Sequence, residues 1–319
     1  MVIFIAIHSQ KPWFFMSLLS NSHSFTGVFP VFQTPFLEDE SIDFETLDKE
    51  ISWLYDNGVQ GIVMAMVSEV LRLSSEERDS LTSSACRLGS KRGLVIISVG
   101  AESSHTAVRY AKHAESVGAN AVMAIPPTST SADDDELLKY YENLIRAIKI
   151  PVIVQDASGY VGKPMSLTMQ ALLLEKFGER VMYKPEATPI GPRLSALRDL
   201  TNGQAHIFEG SGGIALVDSH HRGAKATMPG ADMCWALVAL WQALEKGDST
   251  RIDAINGPLT AMISLQNSLD AFLAVEKHLL VRQHIFKNEI IRGPVSYSLD
   301  IETKKEVDRL FELLKFAVQ

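Results

Sequence analysis

From about residue 27 to residue 246, short apolar runs alternate with amphipathic stretches in units of roughly 25 residues. The apolar runs predict strands at Gly27–Phe32, Gly61–Met66, Leu94–Val99, Ala121–Ile125, Pro151–Gln155, Val181–Lys184, His206–Glu209 and Ala224–Met228. The stretches between them predict helices at Asp43–Asn57, Ser74–Leu88, His105–Val117, Asp133–Ile148, Ser166–Phe177, Gly191–Leu200, Gly213–His221 and Ala231–Lys246. Punctuation supports several boundaries. Gly58 and Gly118 follow helices as C-terminal stops, Ser74–Ser75–Glu76–Glu77 has the form of a capping box, and three acids open the fourth helix at its positive end.

The strand runs lack a polar face, so both sides are expected to be buried, as in parallel sheets flanked by helices. Eight β-then-α units close most naturally into a (β/α)8 barrel. A doubly wound open sheet is the competitor, and no glycine-rich nucleotide fingerprint follows the first strand to support it. After Asp248 the pattern changes to three helices without strands, at Ile252–Ser264, Leu269–Val281 and Ile301–Ala317. The expected organisation is an extension over residues 1–24, a barrel over 25–247 and a helical region over 248–319. The extension carries two short apolar runs around Lys11 and reads as a poorly packed segment, or as a start placed upstream of Met16.

A length of 319 residues with 46% hydrophobic and 21% charged positions leaves ample material for one large core. The net charge of −8, with no basic run, argues against nucleic acid as a partner. Cys86 and Cys234 fall in predicted helices without metal-type spacing, which suggests buried thiols in a reducing compartment, hence the cytoplasm. Histidines and acids show no pattern implying a metal site, and no cofactor is expected. Trp53, Trp235 and Trp241 fall on helices as core or interface residues, and His220–His221 complement a helix C-terminus.

In barrels of this kind the chemistry sits at the C-terminal ends of the strands. One such end reads Val181–Met182–Tyr183–Lys184–Pro185–Glu186. Pro185 donates no backbone hydrogen bond and is expected where the strand leaves its sheet. Lys184 and Glu186 are two apart and share a face of an extended chain. A buried amine there attacks a carbonyl to form a Schiff base; the other reading is a salt bridge ending a strand. Lys225 in the eighth strand competes for the nucleophile's role if Thr227 faces the interior, and otherwise sends its ammonium to solvent.

From Gly27 to Leu314 the chain resembles the dihydrodipicolinate synthase and N-acetylneuraminate lyase family of class I, Schiff-base aldolases. The resemblance is carried by the order and spacing of Gly27–Phe36, Asn57–Met66 with Glu69 and Ser74–Arg78, Ala111–Pro126, Pro151–Val154, Lys184 with Glu186–Ala187–Thr188, Gly210 and Gly223–Thr227. It implies that Lys184 is the Schiff-base lysine and that a 2-oxo acid, usually pyruvate, is the donor substrate. It also implies a dimer or tetramer, an expectation joined to the apolar positions Leu269, Phe272, Leu273 and Leu280 of the C-terminal helices.

Departures from the family pattern are specific. The strand-two loop, usually Gly-Thr-Thr-Gly-Glu, reads Ala65–Met66–Val67–Ser68–Glu69, leaving Val67 and Ser68 as the carboxylate-binding candidates. Gln155 stands where a proton-shuttling tyrosine ends strand five, the tyrosine after strand four falls near Thr128, and the synthase's acceptor-binding arginine falls near Tyr160. Glutamine does no acid–base work near neutral pH, so Glu186 is the first candidate for proton transfer, with Asp156 and Tyr160 behind it. Gly210 and Thr227 complete the expected substrate-binding set. The expected activity is a lyase or aldolase on a 2-oxo acid; a 2-keto-3-deoxy sugar-acid aldolase or dehydratase, and a non-catalytic keto-acid-binding barrel, are the alternatives.

Overall fold

The computed structural model describes residues 24–319, so the expected extension lies outside the described residues apart from Ser24. The first half of the chain runs β1 (Gly27–Val28), α1 (Phe44–Asp56), β2 (Gly61–Met64), α2 (Ser75–Gly89), β3 (Leu94–Ser98), α3 (Ser104–Ser116), β4 (Ala121–Ala124) and α4 (Asp134–Ala147). It continues with β5 (Val152–Asp156), α5 (Leu167–Phe177), β6 (Val181–Pro185), α6 (Ile190–Leu200), β7 (Phe208–Glu209), α7 (Leu216–His221), β8 (Ala226–Thr227) and α8 (Cys234–Lys246). Three further helices follow: α9 (Ser249–Ile263), α10 (Leu269–Arg282) and α11 (Ile301–Val318).

All strand pairs are parallel. β2 to β6 form one sheet and β1, β8 and β7 another. Single bridges join the two into a closed (β/α)8 barrel: Val31 pairs with Val63 and Gly230, and Tyr183 pairs with Ile207. The first strand is shorter than its apolar run because Pro30 has no N–H to give the ladder, and pairing resumes only at Val31. Helix α7 begins at Leu216, three residues later than expected, because Gly212 and Gly213 hold φ of +75° and +105°, outside helical space. The Ser74 capping box is present: Ser74 Oγ accepts from the Glu77 N–H, and the Glu77 carboxylate accepts from the Ser74 N–H.

Side-chain parity divides the core into two layers. Phe29, Val63, Ile96, Met123, Ile153, Met182, Phe208 and Met228 fill the barrel interior. Val28, Met64, Ile97, Val122, Val154 and Tyr183 point outward and pack under the helices. Met182 and Ile153 thus place Lys184 and Gln155, two residues on, at the open end of the interior. Strand β6 runs one residue beyond the expected end. Glu186 N–H donates to Asp156 O, whereas Tyr183 N–H faces His206, so Pro185's missing donor falls on the β7 side, where pairing is confined to Tyr183.

The apolar positions of α10 are not an outward face. Phe272, Leu273 and Leu280 are buried within the chain, because the helix crosses the open end of the barrel. Lys277, fully buried on the same helix, ties it down through Glu69 at 2.5 Å and the Thr34 carbonyl at 3.0 Å. Cys86 and Cys234 are free, buried thiols. No helix among the described residues is long and apolar enough to cross a membrane.

Candidate active site

A cavity of about 400 Å³, counted to its open mouth, occupies the C-terminal end of the barrel beneath α10. Lys184, Glu186, Gln155, Tyr160, Gly210 and Val67 line it, together with Val31, Met66, Met228, Phe272 and Glu276. Lys184 Nζ lies 3.1 Å from Glu186 Oε1, and both side chains are almost wholly buried. Gln155 Nε2 donates to the other Glu186 oxygen at 2.7 Å, and Gln155 Oε1 has no partner among the described residues. Burial is the strongest influence on Glu186 and holds its pKa above the ordinary value of 4.5. The Lys184 charge and the two hydrogen bonds oppose the rise, and Glu209 adds to it. A carboxyl so placed can exchange protons with a group on Lys184.

Gly210 makes this packing possible. A Cβ there would meet Lys184 Cε at 2.7 Å and Glu186 Cγ at 2.8 Å, so any side chain would displace the pair. Tyr160 stacks edge-on against Phe272, with ring centroids 5.8 Å apart. Burial, followed by the charges of Glu186, Glu209 and Glu276, pushes its phenol upward, so it stays protonated as a donor.

Four expected site residues lie off the cavity, each for a physical reason. Asp156 and Thr227 have outward parity, opposite to Gln155 and Met228. Asp156 accepts from Ser158 Oγ at 2.6 Å and the Met165 N–H at 3.1 Å, bracing the loop after β5. Thr227 Oγ1 donates to Glu209 at 2.6 Å. Ser68 turns its hydroxyl back, donating to the Phe32 carbonyl and accepting from the Ala65 N–H, which leaves Met66 and Val67 on the cavity side. Thr128, with Ser129, holds Glu102: burial opposes ionisation there, but hydrogen bonds from both residues keep that carboxyl at about 2. Lys225 is exposed and lines a surface depression with Thr26, His206 and Trp241, so it does not share the cavity with Lys184. No cluster of three or more potential metal-ligating side chains occurs among the described residues.

Glu276 and Phe272 were not foreseen from the sequence. The available signal was a charged pair, Glu276–Lys277, inside the apolar run Phe272–Val275 and Leu279–Val281, since unpaired charges are rarely buried on such a face.

The sequence profile of the dihydrodipicolinate synthetase family matches residues 24–181. An uncharacterised DapA-like lyase of Pyrococcus abyssi is 33% identical over 129 residues, 40% of this chain and 43% of the relative. The L-2-keto-3-deoxyarabonate dehydratase of Azospirillum brasilense is 25% identical over 226 residues, 69% of this chain and 73% of that enzyme. The match thus spans less than half of the first relative's length. The solved dihydrodipicolinate synthase of Rhodopseudomonas palustris superposes with a TM-score of 0.84 at 24% identity, covering 92% of this chain and 98% of that one, which shows the shared fold.

Proposed function

Because the chain belongs to the dihydrodipicolinate synthetase family, as a divergent member, we propose that it is a lyase that forms a Schiff base between Lys184 and a 2-oxo acid. The observation that carries this reading is the buried Lys184–Glu186 pair, 3.1 Å apart and facing a cavity at the C-terminal mouth of the barrel. Neutral Lys184 Nζ attacks the keto carbon, and one of its protons passes through the Glu186 carboxylate to the former keto oxygen, giving the carbinolamine. The remaining Nζ proton follows the same route to the carbinolamine hydroxyl, which leaves as water and gives the imine. Moving a proton from the adjacent carbon to the imine nitrogen then gives the enamine on which carbon–carbon or carbon–oxygen chemistry proceeds. Backbone amides of the Met66–Val67 turn are the candidates for holding the substrate carboxylate.

A dehydratase or aldolase acting on a 2-keto-3-deoxy sugar acid is the second reading. It is favoured by the similarity to the Azospirillum brasilense dehydratase and by Gln155 replacing the family's proton-shuttling tyrosine. Homo-oligomerisation is a further part of the proposal. The exposed apolar residues Ile301, Leu313 and Phe316 of α11 are its candidates, now that the α10 positions are accounted for inside the chain.

Incubation with pyruvate and borohydride followed by mass measurement tests the reading. A stable adduct mapped to Lys184 is expected, lost in Lys184→Ala and kept in Lys225→Ala. Failure to trap pyruvate or any of a panel of longer 2-oxo acids would turn the reading toward a non-catalytic binding barrel.

A further inference from the structure

The cavity contains a carboxyl group that the Schiff-base chemistry leaves without a task. Glu276 is only 1% exposed, and it reaches the site from α10, outside the eight strand ends. One of its oxygens accepts from Gln33 Nε2. Its carboxyl packs against the backbone of Gly230, where an added Cβ would meet Glu276 Cδ at 2.5 Å. Among the described residues no cation is paired with it, since the neighbouring Lys277 is turned to Glu69 at 2.5 Å. Two more buried acids, Asp232 and Glu50, act on it electrostatically. Burial first, then those two acids, holds the Glu276 carboxyl well above the usual range despite the Gln33 hydrogen bond. A carboxyl group so held offers acceptor oxygens to a ligand and, whenever it carries a proton, a donor as well.

A second observation is independent of the acids. Gln155, also 1% exposed and lining the same cavity, has its Oε1 unpartnered among the described residues. A buried amide oxygen with no partner costs free energy that a ligand's donor would recover. The rest of the lining away from Lys184 and Tyr160 is largely apolar, including Val31, Met228 and Phe272. Pyruvate, with only a methyl group beyond its keto carbon, has nothing to offer either group. A hydroxyl has both a proton to give and a lone pair to accept with.

We infer that Glu276 and Gln155 are specificity-determining residues that bind a hydroxyl group on the substrate chain beyond the keto carbon, so that the site takes hydroxylated 2-oxo acids in preference to simple ones. The inference rests on the proposed 2-oxo acid site and names its substrate class. Enzymes acting on such substrates gain most of their discrimination where a buried polar group is left unpaired by the wrong ligand.

Calorimetric binding of 2-oxopentanoate and of its 4-hydroxy and 5-hydroxy derivatives tests it, without requiring imine formation. The full chain is expected to bind one hydroxylated acid about tenfold more tightly than the parent, the worth of a well-made buried hydrogen bond. Glu276→Leu removes that preference, read as the ratio of hydroxylated to parent affinity in the same variant; Glu276→Gln, which keeps a donor and an acceptor, restores it. Gly230→Ala displaces the carboxyl and reproduces the Leu result should that variant fold poorly. Equal binding of all three acids by the wild type, or equal loss of all three in both Glu276→Leu and Gly230→Ala, overturns the inference. Borohydride trapping reports on Lys184 separately: a hydroxyl preference without an adduct refutes the Schiff base and keeps the specificity assignment.

Discussion

Gly210 lies so close to Lys184 that a single added carbon would come within 2.7 Å of the lysine's Cε. The absence of a side chain on β7's outgoing turn is what lets the β6 lysine extend into the cavity beside Glu186. Gly210→Ala is expected to move the amine while leaving the barrel intact, since the atoms it meets belong to the Lys184 and Glu186 side chains and none is backbone. Misplacement of about 1 Å costs roughly a hundredfold in rate. Imine trapping by borohydride, compared with unfolding midpoints of both proteins, measures the two effects separately.

Glu186→Gln keeps the shape of the site and removes its titrating proton. Loss of one general acid–base group costs about 10²–10⁴-fold. The raised pKa of Glu186 puts the acid limb of the wild-type pH–rate profile above the ordinary glutamate value of 4.5, and the mutant should lack that limb. A mutant that regains full rate merely by a change of pH would show that Glu186 only tunes Lys184, and would direct attention to Tyr160.

Lys277→Ala removes the cation from a fully buried pair. Glu69, also held by the Arg292 N–H at 3.1 Å, is left buried beneath the Met66–Val67 turn with only the more distant Arg72, at 3.7 Å, to balance its charge. Breaking such a pair costs about 3–5 kcal/mol. Denaturant unfolding should show the loss, and Lys277→Ala combined with Glu69→Gln should recover part of it.

Asp232, buried behind the cavity, is raised from 3.8 to about 7 by desolvation. Between these values the native chain holds a proton that the unfolded chain has released, so the native state binds more protons. The stability linked to this group is therefore complete at acid pH and declines as pH rises through about 7. Asp232→Asn should flatten the fall and make the protein more stable than wild type at pH values above that window. Glu50 and Glu276, raised by the same burial, keep part of the slope. Thermal midpoints across a pH series check the sign.

Local periodicity along the chain is enough to encode the architecture. The repeated apolar run and amphipathic helix specify parallel strands covered on both faces, and eight of them specify a barrel. Spacing by two placed Lys184 and Glu186 on one face before any contact was visible, because alternation along a strand is a property of the backbone. The same alternation, applied to adjacent residues, separates Gln155 from Asp156. Buried strands that are apolar on both sides give no polar mark to say which parity faces inward, so the sequence left Asp156 and Thr227 in the site. Only the packed barrel, with Ile153 and Met228 in its interior and Val154 in the outer layer, decided between them. Ser68 turns its hydroxyl from the cavity for a related reason: a loop hydroxyl binds a ligand or its own backbone, and that choice depends on where the Phe32 carbonyl lies after the barrel closes. The sequence marks Glu276 only as a charge inside an apolar run and does not place it. Its place in the cavity depends on α10 crossing the open end of the barrel, a long-range packing event fixed by buried apolar surface and the Lys277–Glu69 pair.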